Sequence, residues 1–373
     1  MTLPRMLRIR QLFDAPTVED IPAAVRSEIQ GLALDSRVNP GETVAITVGS
    51  RGIANIALII KCLVEELKAL GLEPFLVPSM GSHGGGVAEA QQAIIESYGV
   101  TEEYTGAPIK SSMETVQVGK TEDGVPVFFD KYAFEADHVA VVGRIKPHTR
   151  FVGEIQSGLY KMMLIGLGKH KGAALYHQAI VHYSFDRIIR SVGQAVIDQC
   201  GVLLGLGLIE NHYDKTALIK GVGTDEFLER EKELLALAKK WMPRLPFDQV
   251  DLLIVDQIGK NISGSGMDTN VVGRKFHDDH ADDEEFPKVT RILVRGLTEE
   301  SKGNATGIGT AEYAHRRAID QMDREITYIN CMTGNHPTGA HIPLYFDTDR
   351  ICISRALETV GLVEPADAKV IRI

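Results

Sequence analysis

Cysteine and tryptophan are scarce in this chain, with four of the first and one of the second in 373 residues. Cys62, Cys200, Cys331 and Cys352 form no CxxC pair, which excludes a disulfide framework and a cysteine-rich zinc site and fits a reducing cytosol. No uncharged apolar run reaches the roughly 18 residues of a membrane span. The opening stretch MTLPRMLRIRQLFDAP lacks the apolar core of a signal peptide. Positive charge is in deficit as well: 40 Lys and Arg against 50 Asp and Glu give a net charge of −10. That balance excludes nucleic acid and anionic membrane as default partners. A soluble, cytoplasmic protein is expected. There is no GxxxxGK[ST], no GxGxxG after the first strand and no HExxH, so a P-loop, a dinucleotide fingerprint and a helix-borne zinc-protease site all lack support.

What is present is a regular alternation. ETVAITVGS (42–50) reads as a buried strand. Ile53, Ile56, Ile60, Leu63 and Leu67 then recur at helical spacing up to Gly71. PFLVPS, VAEAQQAIIESYGV, HVAVVGRI (138–145), a helix near 184–199 and VLLGLGLIE continue the pattern, which implies a mostly parallel sheet covered by helices. DEFLEREKELLALAKKW and the proline-punctuated MPRLPFDQ place a boundary near residue 245. The expected architecture is α/β with two domains, each a largely parallel sheet covered by helices, and an active site in the cleft between them. Residues 1–245 form the first domain and 246–345 the second, with a tail, 346–373, returning to the first.

Ligands of open α/β sheets bind at the carboxyl ends of strands. Four expected strand-to-helix turns carry unusual residues: Ser50-Arg51-Gly52, Gly81-Ser82-His83-Gly84, Lys146-Pro147-His148 and Gly259-Lys260-Asn261. Glycine, serine and a basic residue before a helix suit phosphate or carboxylate, because free N–H groups and the helix dipole favour an anion. The plainer reading is that glycine makes each turn and serine caps each helix. His83 and His148 end different strands, and an imidazole near its ordinary pKa gives or takes a proton at neutral pH. Either could equally be a hydrogen-bonded loop histidine, as expected for His138 and His212. Lys161 is followed by Met, Leu and Ile, so its ammonium is either covered or chemically used. His170 and His177, seven apart, could hold a divalent metal on one helical face, and HDDHADDEE (277–285) reads more as a solvated acidic loop than as a metal site. The glycine-rich stretch 259–270 reads as a functional loop.

In order and spacing these residues resemble the nickel-dependent lactate racemase family and its 2-hydroxyacid racemase and epimerase relatives. The resemblance rests on Ser50-Arg51, Gly81-Ser82-His83, Pro147-His148, Lys161, and His177 sixteen residues beyond that lysine. It implies a nickel-pincer nucleotide joined to Lys161, its nickel also held by His177, with His83 and His148 as paired acid and base. Ser50, Arg51, Gly81, Ser82 and Lys260 would contact substrate carboxylate or cofactor phosphate. It further implies a small 2-hydroxyacid substrate and dependence on cofactor-biosynthesis enzymes, and it allows a homo-oligomer. Before Lys161 the chain has Gly158-Leu159-Tyr160 where lactate racemase has glycine-glycine-arginine. With Arg144, Lys146 and Arg150 nearby, this favours a dicarboxylic or larger hydroxyacid over lactate. Lys169 is a second lysine to consider as the tether. The competing classes are a divalent-metal hydrolase using His170 and His177, and a non-catalytic anion- or nucleotide-binding protein.

Overall fold

The computed structural model describes residues 3–50, 52–275 and 283–373. They divide into two compact units. One comprises Phe13–His148 and Val152–Met242, the other Met1–Leu12, Thr149–Phe151 and Pro243–Ile373. Each is built on its own five-stranded sheet, the layered α/β arrangement that the alternating pattern predicts.

The sheet of the first unit contains β1 (Thr43–Val48) and β2 (Glu73–Pro78). A hairpin of β3 (Thr115–Lys120) and β4 (Pro126–Asp130) stands apart from it. The sheet resumes with β5 (His138–Arg144), β6 (Val202–Glu210) and β7 (Thr216–Gly223), in the spatial order β2-β1-β5-β6-β7. The first four run parallel and only β7 is antiparallel. Val48, Pro78, Arg144 and Glu210 therefore end on one edge. The order reverses between β1 and β5, because β2 lies on one side of β1 and β5 on the other. Crevices at such reversals take the ligand in open α/β sheets.

Side-chain alternation explains both faces of this sheet. Val44, Ile46, Leu204, Leu206 and Leu208 enter one apolar layer with α1 (Ile21–Gln30) and α2 (Ile56–Ala69). On the other face β6 presents glycine. A Cβ on Gly205 would lie 2.6 Å from Leu159 Cδ1 and 2.8 Å from the Phe227 ring, and one on Gly207 would lie 2.9 Å from Ile145. The missing side chains let that layer sit close on the strand. Further helices are α3 (Ala88–Ser97), α4 (Leu159–Lys161), α5 (Lys169–His182), α6 (Phe185–Gln199) and α7 (Phe227–Trp241).

In the second unit β8 (Gln249–Val255), β9 (Lys288–Val294), β10 (Tyr313–His315), β11 (Leu344–Phe346) and β12 (Val370–Arg372) form an all-parallel sheet ordered β11-β10-β9-β8-β12. Its helices include α8 (Arg324–Thr333) and α9 (Asp349–Leu357). The tail differs from the sequence expectation. VIRI does not return to the first unit: Val370, Ile371 and Arg372 pair with Leu252, Leu253 and Ile254 of β8. A short apolar strand carries no label for its partner, and here the open edge of β8 takes it. All four cysteines are buried and free, and among the described residues no helix is long and apolar enough to cross a membrane.

Candidate active site

The turns after β1 and β2 meet directly. Ser50 Oγ and His83 Nδ1 share a hydrogen bond. The α3 helix holds both turns in place. Tyr98 donates its hydroxyl to Ser50 O at 2.7 Å, and the buried Gln91 amide donates to the carbonyls of Gly81 and His83, each at 2.9 Å. Ser82 is half-buried and makes no capping bond at the helical turn it precedes, so the expectation of a capping serine does not hold there. His83 itself is exposed. Arg51 lies outside the described residues.

After β5 the loop closes on itself. Lys146 N donates to Ser157 Oγ and His148 N to Gln156 Oε1, each at 3.0 Å, and Gln156 is buried. The His148 ring is half-buried, 5.7 Å from the ring of Phe185 at the start of α6. Arg144 is paired with Glu210, the last residue of β6, and Glu210 also accepts from Ala54 N at 2.7 Å. Its positive charge is therefore already matched. His138 bonds Glu42 at 2.8 Å and the His212 ring stacks on Phe13 at 4.0 Å, the structural roles expected of both.

Lys161 ends α4 and leads into a π-helical turn, Met162–Gly166, that lies across the same sheet edge. Backbone glycines make the seat. A Cβ on Gly143 of β5 would lie 2.9 Å from Met162 Cγ, and one on Gly49, just past β1, 3.6 Å from Met162 Cε. Gly166 packs on Ser79 O, and Gly81 approaches Ile165 and Ala173. His177 lies four residues beyond Ala173 on α5, hence on the same helical side. Single π turns inside helices concentrate at functional sites. The edge thus gathers the Ser50 and His83 turns, the His148 turn and the Lys161 segment.

Lys161 is half-buried. The wholly buried ammonium belongs to Lys169, 2.9 Å from Asp130 Oδ2 and hydrogen-bonded to Pro78 O. The apolar flank of Lys161 and the charged flank of Lys169 point the opposite way in the sequence, because tertiary contact rather than neighbours sets burial. Glu231 of α7 is also fully buried. It accepts from Tyr160 N at 3.1 Å, and burial pushes its carboxyl well above the ordinary range.

In the second unit Lys260 follows β8. Its ammonium donates to Gly264 O at 2.6 Å and Asn330 Oδ1 at 2.8 Å, and its N–H donates to Ser301 Oγ. A cavity of about 270 Å³ is lined by Arg150, Arg274, Lys275 and His336 together with the hydroxyls of Thr149, Ser265, Thr269, Thr306 and Thr310. Of these, Arg274 is buried and paired with Glu312 at 2.9 Å. Arg150 belongs to this unit and donates to the carbonyls of Gly334 and Asn335. Among the described residues no three His, Cys, Asp or Glu are grouped to hold a metal, so the hydrolase reading gains no third ligand for His170 and His177. Most of HDDHADDEE lies outside the described residues.

Residues 6–186 match the family model described as the lactate racemase N-terminal domain. That stretch is a lactate racemase N-terminal domain. It contains Ser50, His83, His148, Lys161 and His177. Among solved structures the chain is similar to the lactate racemase apoprotein from Thermoanaerobacterium thermosaccharolyticum, with a TM-score of 0.56 and 12% identity over 100% of this chain and 99% of that one. A protein from Thermotoga maritima matches equally, with a TM-score of 0.56 and 12% identity over 97% of each chain. No curated protein matches the chain. At that identity the two likenesses speak for the fold.

Sequence reasoning missed Glu231's contact at the start of α4 and the glycine seat in β5 and β6. The signal for the seat was legible: VLLGLGLIE alternates leucine with glycine inside a strand, which marks close approach of another backbone. The basic cavity was signalled only by Arg274-Lys275, directly after the glycine-rich loop.

Proposed function

We propose that the chain is a 2-hydroxyacid racemase or epimerase that carries a nickel-pincer nucleotide on Lys161. The observation that carries this reading is the gathering of the His83, His148 and Lys161 segments at one sheet edge of a lactate racemase N-terminal domain.

The donor set fits the group. Lys161 is half-buried, whereas Lys169 is wholly buried against Asp130, which supports Lys161 as the tether. His177, half-buried on α5, offers the imidazole that suits nickel beside sulfur donors, and it must be neutral to bind. Ser50, Arg51, Gly81 and Ser82 would contact phosphate or carboxylate. When bound, the group supplies a reversible hydride acceptor.

The protein's own part is to orient substrate and to move one proton. Ser50 suits His83 to that task. A serine hydroxyl can donate to Nδ1 or accept from it, so the same contact serves both protonation states of the imidazole. With Nδ1 held by Ser50, Nε2 is the atom that exchanges a proton with the substrate hydroxyl. His148 is the second proton carrier, its backbone fixed by Gln156 and its ring by Phe185. Two bases on different turns are what a reaction run from both faces of a planar keto acid requires. Arg144 is matched by Glu210, and the turnover of enantiopure lactate, malate and sugar acids decides the substrate.

The test is intact-protein mass with nickel analysis on chain co-produced with the cofactor-biosynthesis enzymes. Lys161→Ala should abolish the added mass. His83→Ala and His148→Ala should keep it and each lower turnover about 10²- to 10⁴-fold, the usual worth of a positioned acid or base. An unmodified Lys161 under conditions that load a known relative would sink the proposal, and an anion-binding protein without turnover would then be the better reading.

A further inference from the structure

The segment that bears Lys161 begins on a carboxyl group from a distant helix. Glu231 lies in the middle of α7, is 0% exposed, and directs one oxygen to the backbone N–H of Tyr160, the residue before Lys161. Its other oxygen, Oε1, is buried as well, and the Leu159 N–H is a second backbone donor facing the carboxyl. The chain bends around this group. Gly158 has φ 92°, a region that glycine alone visits cheaply, and a Cβ there would lie 2.6 Å from Glu231 Oε1 and 2.6 Å from Ile145 Cγ1. Tyr160 is buried beside it, its ring edge-on to Phe227 and pressed against Gly193, where a Cβ would lie 2.3 Å away.

A glutamate in mid-helix could have met water on the outer face, as Glu229 and Glu233 do. Full burial of a carboxyl without a cationic partner costs stability, and a methionine or leucine would fill the same volume without that cost. What an apolar side chain cannot do is accept a hydrogen bond from the first turn of α4. The first N–H groups of any helix have no partner within it, and α4 begins the helical run that continues into the π turn. An acceptor built into the floor beneath it fixes where the turn starts, and so where residue 161 leaves the backbone.

Resting on the proposed role of Lys161, we propose that Glu231 is a positioning residue that fixes Lys161 for attachment of the cofactor, acting through the backbone N–H of Tyr160. It touches neither substrate nor metal. Its work is to hold the amine-bearing turn against the sheet edge.

Two variants separate reach from charge. Glu231→Gln keeps an acceptor at the same distance, and Glu231→Asp keeps the carboxyl but withdraws it by one methylene. The first readout is made on the full-length apoprotein. It is brief acetylation with an N-hydroxysuccinimide ester across a pH series, with the rate at Lys161 read by peptide mass spectrometry against the exposed Lys171. Glu231→Gln should leave the Lys161 to Lys171 ratio within about twofold of the native chain. Glu231→Asp should free the turn and raise it about three- to tenfold, the equivalent of one lost hydrogen bond. The second readout is the fraction of Lys161 carrying added mass after co-production with the cofactor-making enzymes, which should fall in Glu231→Asp and hold in Glu231→Gln. A general loosening would raise Lys171 as well and would overturn the proposal, as would an unchanged ratio in Glu231→Asp. If native Lys161 takes up no mass, the function proposed above fails while the acetylation ratio still decides the role of Glu231.

Discussion

A buried carboxyl has consequences for stability that its hydrogen bonds alone do not reveal. Glu231 holds its proton in the folded chain to a higher pH than in the unfolded one, where its pKa lies near 4.5, because burial disfavours the charged form. The folded chain then binds more protons than the unfolded chain above pH 4.5, so this residue's contribution is complete below that value and is lost as pH rises toward its folded pKa. Glu231→Gln removes the titration. Its stability relative to the native chain, followed by urea unfolding, should therefore improve steadily as pH is raised from about 4.5, with a slope of at most about 1.4 kcal/mol per pH unit. A difference that stays flat with pH would mean that Glu231 is ionised when folded. This behaviour was not legible in the sequence, where Glu231 sits among Glu226, Glu229 and Glu233 in a charged helix and nothing marks it as the inward one. The histidines were more legible. His83 and His148 stood out because each lies on a turn after an expected strand, and a strand end at a sheet edge is where a side chain meets a ligand.

At the scale of the element, the first unit is organised by where its strands omit side chains. Gly143, Gly205 and Gly207 clear one face of β5 and β6, and the Lys161 segment settles into the space. Gly143→Ala should show how tight that seat is. The new methyl would meet Met162 Cγ at 2.9 Å and the Gly158 carbonyl at 3.0 Å, and the second of these is backbone that cannot swing aside. Overpacking of this kind costs about 1–3 kcal/mol, and the lost stability should be accompanied by reduced loading of Lys161. Unchanged loading at reduced stability would show that the seat supports the fold alone. Most elements here could be read from periodicity, because each buries one stripe or one run: the strands β1, β2, β5, β6 and β8 and the helices α2, α3, α6 and α7 lie where apolar spacing placed them. The hairpin of β3 and β4, the antiparallel β7 and the three-residue strands β10 and β11 were harder to see. Their sequences are too short or too mixed for a period to emerge, and pairing decides them.

For the whole molecule, two largely parallel sheets follow from one repeated local pattern, and that much was open to a reader of the sequence. The partner of the final strand was not. Four residues of VIRI fit either sheet by composition, and only the vacant edge of β8 selects one. The chain also passes between the units more than once, with Thr149–Phe151 counted in the second unit immediately after His148 in the first, which no composition shift announces.

The four thiols acquire a use from this division. Cys62 and Cys200 are interior to the first unit, Cys331 and Cys352 to the second, and none is more than 5% exposed. Burial also raises the thiol pKa of Cys62 and Cys352, and that of Cys200 to about 12, so thiolate is scarce while the chain is folded. The native protein should resist alkylation, and graded urea should release the thiols in two pairs if the units open separately or as four together if they open as one. Read by peptide mass, an ordinary alkylating reagent thus becomes a two-channel clock for unfolding. The protein carries a separate reporter in each half without any label being added.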